Sequence, residues 1–205
     1  MGSEQELLLQ RGRMMNDQCR ETRNNLSLAQ TIQSCLSALN ENVVFAESCT
    51  GGEIVSTMAK LPGISQNLCG SFVSYRGASK QEWLGVDCRT IDKYTTESGE
   101  VAKEMAEGAL KKTPKASWAL AVVGHFGPNA PKEKDGMIYI CIMRRTNKGS
   151  LKIKDQIQHH LIVKDRISRQ KTATEVCLTS LARILMKRAG ARKTDSPTDP
   201  KSITG

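Results

Sequence analysis

Two short apolar runs, each broken by a glycine-rich turn, constrain the fold of this 205-residue chain more than any other pattern in it. Val43-Val44-Phe45-Ala46 leads into Glu47-Ser48-Cys49-Thr50-Gly51-Gly52, and Trp118 to Val123 leads into Gly124-His125-Phe126-Gly127-Pro128. Runs of four to six apolar residues with no polar alternation fit strands buried on both faces, which occur where helices cover a sheet from both sides. Helix-period segments fall between these runs. Leu28, Ile32, Leu36 and Leu39 share one face of a segment from Leu26 to Asn40, and Glu53 to Lys60 closes on Leu61-Pro62-Gly63. Ser98 can cap a helix that aligns Val101, Met105 and Ala109, and Arg166 to Met186 forms a last helix with Ala173, Cys177 and Leu181 inward. Further strands are expected at Gly70–Tyr75, at Met137–Met143 and once or twice within Leu151–Val163, with a short helix over Ala78–Trp83. Alternation of this kind gives an α/β class: one domain with a mixed, largely parallel sheet and helices on both faces.

Charge and composition narrow the function. Aromatic residues make up 4% of the chain, too few rings for a stacking platform on single-stranded nucleic acid. No apolar run approaches the ~18 residues that cross a bilayer. The formal charge is +9, and from Ser150 onward twelve Lys or Arg stand against five Asp or Glu, so +7 of it lies in the last quarter. That quarter reads as a solvated helix face followed by a basic tail. Seven cysteines show no C-x-x-C pair and no histidine at zinc-ligand spacing, and are read as reduced thiols. The tandem His159-His160 falls in a strand, where the two rings point to opposite faces, so no metal site is expected there. The expected organisation is a mobile extension over residues 1–25, a domain over 26–189 and a disordered basic tail over 190–205. The first residues fit no secretory or transit signal, so the cytoplasm is the expected location.

In open α/β sheets ligands gather beyond the carboxyl ends of the strands, where turns meet helix N-termini. Both glycine turns lie there. Ser48 presents a hydroxyl just after a buried strand and just before a helix, as a nucleophile requires, and the following helix amides can hold an oxyanion. The same hydroxyl also reads as a helix N-cap.

The segment from Val43 to Asp87 resembles the carboxy-terminal domain family of the competence-damage-inducible protein CinA, the nicotinamide-nucleotide amidases. The likeness rests on Ala46-Glu47-Ser48-Cys49-Thr50-Gly51-Gly52, on Pro62-Gly63, and on Val73-Ser74-Tyr75 followed five residues later by Lys80. Leu84-Gly85-Val86, the Ser98–Leu110 helix and Asp165-Arg166 extend it over about Leu28 to Met186. The resemblance implies hydrolysis of the carboxamide of nicotinamide mononucleotide to nicotinic acid mononucleotide and ammonia, in pyridine-nucleotide salvage, with no metal and no cofactor. It implies Ser48 as nucleophile, Lys80 as its base and Tyr75 as the third catalytic residue. Glu47, Cys49, Thr50, Gly51, Gly52 and Gly124 then belong to the substrate site, with Arg166 or Arg169 on the phosphate. The family's amino-terminal molybdopterin-binding-like domain has no counterpart here, which implies a stand-alone form. The implied partner is a small nucleotide; neither membrane nor nucleic acid is expected, and homodimerisation stays open.

One stretch departs from the family pattern. Where A-V-T-G-I-A-G-P is usual, this chain has Ala121-Val122-Val123-Gly124-His125-Phe126-Gly127-Pro128. Val123 lacks the threonine hydroxyl, and His125 and Phe126 add bulk beside the expected pocket. The alternative is therefore a weakened or inactive relative that binds a nucleotide for regulation.

Overall fold

The computed structural model describes residues 23–128 and 130–194. Helix α1 spans residues 23–39. It is followed by β1 (Val43–Glu47), α2 (Glu53–Ala59), a single 3-10 turn (Ile64–Gln66), β2 (Leu68–Val73), α3 (Gly77–Leu84), α4 (Cys88–Tyr94) and α5 (Gly99–Lys112). Strands β3 (Trp118–Gly124), β4 (Met137–Arg145) and β5 (Leu151–His160) precede the last helix, α6 (Arg166–Thr194).

The strands form one five-stranded sheet in the order β2-β1-β3-β4-β5. Strand β1 pairs in parallel with β2 and with β3, and the crossovers that parallel pairing demands are α2 on one side and α3 to α5 on the other. Strands β3, β4 and β5 then pair antiparallel, with Gly149 at a φ of 82° in the β4–β5 turn. The sheet is thus mixed, as the sequence leads one to expect, and β4 alone runs against the other four strands.

Every residue of β1 is buried, because alternate side chains enter two different cores. Val43 and Phe45 join Trp118, Leu120 and Val122 beneath α1, α2 and α6. Val44 and Ala46 join Ala119, Ala121 and Val123 beneath α5 and the end of α3. Small residues on this second face let α5 lie close, and Gly108 carries the closeness further. A Cβ there would stand 1.9 Å from the Leu84 carbonyl oxygen, so only glycine lets α5 pass over the end of α3.

Two features differ from expectation. Helix α6 continues to Thr194, eight residues past Met186 and into the segment read as tail; the rest of that tail lies outside the described residues, as does most of the N-terminal extension. The Leu151–Val163 region holds one strand, within the one or two expected. Helix α4 was not expected: none of its residues is buried, so it leaves no apolar period, and it starts on an Asp87 cap bonded to the Arg89 amide. No helix among the described residues is long and apolar enough to cross a membrane.

Candidate active site

Strand β1 ends at Glu47, and the chain turns through Ser48, Cys49 and Thr50 before α2 begins. What holds the turn is the Glu47 carboxylate. It is fully buried and accepts from the Gly52, Ile54 and Val55 amides at 3.1, 3.0 and 3.0 Å. It also accepts from Thr50 Oγ1 at 2.9 Å and from Ser71 Oγ on β2 at 3.0 Å. A carboxylate on the first amides of a helix satisfies orphan donors and complements the helix dipole. Glu47 and Thr50 therefore build the turn from within, as do Gly51 and Gly52, whose φ values are 63° and 98°. This corrects two expectations. The α2 amides are taken by Glu47 and are not open to an oxyanion, and the α2 N-cap is Gly52, with no side-chain cap bond, so Ser48 is not the cap. Replacing Glu47 with alanine strands three amides in a buried turn, and we expect a loss of at least ~2 kcal/mol in denaturant-unfolding stability.

Released from capping, Ser48 sits 6% exposed, its amide donating to the Val122 carbonyl at 3.1 Å. It lines a cavity of about 330 Å³ with Cys49, Tyr75, Glu97, Gly124 and His125, and Arg166 closes part of the wall. Both glycine turns thus meet in one pocket. Gly124 is required there: a Cβ would lie 2.7 Å from the Met137 carbonyl and 3.2 Å from the Cys49 sulfur. Cys49 is no rival nucleophile, because burial above all pushes its thiol up to about 12, so it stays protonated at neutral pH. The amides of Cys49 and Thr50 face its sulfur.

Lys80 projects from α3 and is 0% exposed. Burial lowers its pKa from the ordinary lysine value, opposed in part by the charge of Glu97 and by Cys49. Its ammonium donates to the Thr96 carbonyl at 3.1 Å rather than to Ser48. Alternation along the strands brings a third hydroxyl to the same region. Glu47 pairs with Val73, and the Ser74 amide donates to the Glu47 carbonyl at 2.9 Å, so Ser74 stands abreast of Ser48. Ala46 faces the α3/α5 side of the sheet, hence Ser48 and Ser74 do too, and α3 supplies Lys80 from that side. Ser74 is 0% exposed and its Oγ has no partner. Sequence reasoning met it within Val73-Ser74-Tyr75 but gave it no role.

Tyr75 is 55% exposed and bonds through its hydroxyl to the Arg166 guanidinium at the pocket rim. Arg166 also reaches the Phe126 and Gly127 carbonyls at 3.4 and 3.5 Å. Arg169 is engaged elsewhere. Its guanidinium grips Asp135 with two bonds of 2.5 and 2.7 Å, its Nε donates to the Val163 carbonyl, and it lies outside the cavity wall. Of the two arginines expected at a phosphate, only Arg166 faces the pocket.

The departures fall in two places. Val123 is fully buried on the α5 side, where its methyls join the core. His125 lines the cavity with its Nε2 buried, unbonded and 4.0 Å from Glu97 Oε2, and Glu97 itself accepts from Thr96 Oγ1 at 2.6 Å. Glu97 thus neighbours the His125 ring and acts by its charge on Lys80, a role no sequence pattern suggested.

Residues 25–185 match the family model described as the CinA C-terminal domain. A CinA-like protein of Prochlorococcus marinus (strain MIT 9215) is 35% identical over 164 residues, covering 79% of this chain and 38% of that protein. A CinA-like protein of Fervidobacterium nodosum is 45% identical over 103 residues, half of this chain and a quarter of that one. The chain therefore spans well under half the length of these curated relatives. Among solved structures, the competence/damage inducible protein CihA from Agrobacterium tumefaciens superposes with a TM-score of 0.72 at 27% identity, over 78% of this chain and 95% of that one. The competence damage-inducible protein A from Klebsiella pneumoniae gives the same TM-score at 21% identity, which speaks to the fold. With the family model matched over residues 25–185 and relatives of 35% identity along most of the chain, the chain belongs to the CinA C-terminal domain family.

Proposed function

We propose that this protein is an amidohydrolase that converts nicotinamide mononucleotide to nicotinic acid mononucleotide and ammonia, with Ser48 as nucleophile and Lys80 as base. The observation that carries the reading is a fully buried lysine with a depressed pKa on the side of the sheet shared by a serine that caps nothing. In the first half-reaction Ser48 Oγ attacks the carboxamide carbon and its proton passes to neutral Lys80. The tetrahedral intermediate then expels ammonia, which takes that proton back from Lys80, and water releases the acid from the acyl-serine by the same route. Ser74, buried, unpartnered and abreast of Ser48, is suited to pass the proton between them. Arg166 suits the phosphate as a planar two-point donor, with Tyr75 holding its guanidinium.

A second reading rests on Val123 and His125. A valine where the family has threonine removes a hydroxyl from the Ser48 side of the sheet, and a nucleotide-binding relative with little turnover would tolerate that loss. Ammonia release from nicotinamide mononucleotide by the full chain distinguishes the two. We expect the ammonia formed to match nicotinic acid mononucleotide mole for mole; calorimetric binding without ammonia supports the second reading, and neither binding nor release overturns both.

A further inference from the structure

At the other end of the sheet, where β1 and β3 begin and β4 ends, lies a cleft of about 780 Å³ that the amidase reading leaves unused. Six cationic side chains line it, Lys115, Arg144, Arg145, Lys154, Lys187 and Arg188, against one carboxylate, Glu41. Three of the six come from the basic last quarter of the sequence. Part of that charge is therefore gathered with residues from β4 and the α5–β3 connection into one concavity.

The cleft floor is built. Glu41 is 8% exposed and accepts from Trp118 Nε1 at 2.6 Å, Arg144 at 2.7 Å and Arg188 at 2.8 Å. This clamp fixes two guanidinium groups and leaves them one positive charge in excess. Arg145 is oriented by the Ala116 carbonyl at 3.2 Å and by the Leu110 carbonyl, neither of which offsets its charge. Lys115, Lys154 and Lys187 are exposed and have no carboxylate within ion-pair distance among the described residues. The Nε of Arg144 is buried without a hydrogen-bond partner. A concavity with six cations against one carboxylate, three of those cations being lysines without a carboxylate partner, suits an anionic ligand.

From these residues we infer a second ligand site, for a small molecule bearing two or more clustered phosphates. The volume lies in the range of small-molecule sites, and the low aromatic content noted above disfavours a single-stranded nucleic acid. Clamped arginines on the floor and exposed lysines at the rim suit adjacent phosphates, the former as two-point donors and the latter as point charges. The site is independent of Ser48 chemistry and lies across the sheet's length from it.

Calorimetric titration of the full chain with tripolyphosphate at ~150 mM salt, where loose surface attraction is screened, tests this. We expect saturable one-to-one binding and a ligand-induced rise in Tm. In Lys115→Glu/Lys154→Glu/Lys187→Glu, which alters only exposed positions, affinity should fall on the order of tenfold or more. The milder Lys187→Gln should give a smaller loss in the same direction, and Ser48→Ala none. Absence of saturable binding by wild type at millimolar tripolyphosphate overturns the proposal, as does unchanged affinity in both lysine variants. Preferential, length-dependent binding of a single-stranded oligonucleotide over tripolyphosphate overturns it too, because the surface would then serve a polymer.

Discussion

Replacing Ser48 with alanine is expected to lower ammonia release from nicotinamide mononucleotide by at least ~10³-fold while leaving nucleotide binding and folding close to wild type. The rate effect follows from role, since no neighbouring group substitutes for the lost oxygen. The neighbouring Cys49 is buried and its thiol is pushed up to about 12, and the Ser74 hydroxyl stands on the adjacent strand rather than on the turn. Stability should hold because the Ser48 hydroxyl caps no helix. The Glu47 carboxylate and Gly52 do that work, and the Ser48 amide keeps its bond to Val122 in the variant. We expect a Tm change within ~4 °C, about 1 kcal/mol for a chain of this size. Wild-type turnover in Ser48→Ala would remove the nucleophile from the mechanism. A large fall in Tm would instead mean that the serine is part of the turn's framework.

The strand and turn that carry Ser48 were legible because burial on both faces writes itself as an unbroken apolar run, and because positive φ at Gly51 and Gly52 demands glycine. Helix α5 was legible through its period and its Ser98 cap, which bonds the Val101 amide at 3.3 Å. What stayed hidden was long-range or two-sided. Nothing in the spacing says that Glu47 folds back on α2 rather than facing a ligand, since the same carboxylate can do either. The Arg169–Asp135 pair spans 34 residues and has no local signature, so Arg169 looked as available as Arg166. Lys80 emerged from family resemblance alone: a lysine on a helix whose apolar face is weak carries no mark of burial. Ser74 was passed over for the same reason, as its significance lies in the partner it lacks.

Lys80→Met should separate a base from a mere positive charge, because it moves activity and stability in opposite directions. Methionine is close to lysine in length and apolar, so it fits a site that is 0% exposed, at the cost of the single bond to the Thr96 carbonyl. Without a base, turnover should fall by at least ~10³-fold, and Lys80→Arg should not restore it, because a guanidinium with a pKa above ~12 keeps its proton. Stability should move the other way. Burial lowers the lysine pKa in the folded chain below its unfolded value of 10.5. Between those two values the unfolded chain binds a proton that the folded chain does not, so wild-type stability rises with pH across that window and is lowest below it. Lys80→Met removes that dependence. Its advantage in urea midpoint should therefore be greatest below the folded pKa and shrink as pH climbs toward 10.5. The wild-type kcat/KM should rise with pH through the same depressed pKa, since the base acts only when neutral. A variant that is less stable than wild type by an amount independent of pH would mean that Lys80 is held as an ammonium by Glu97, and the proton would need another acceptor.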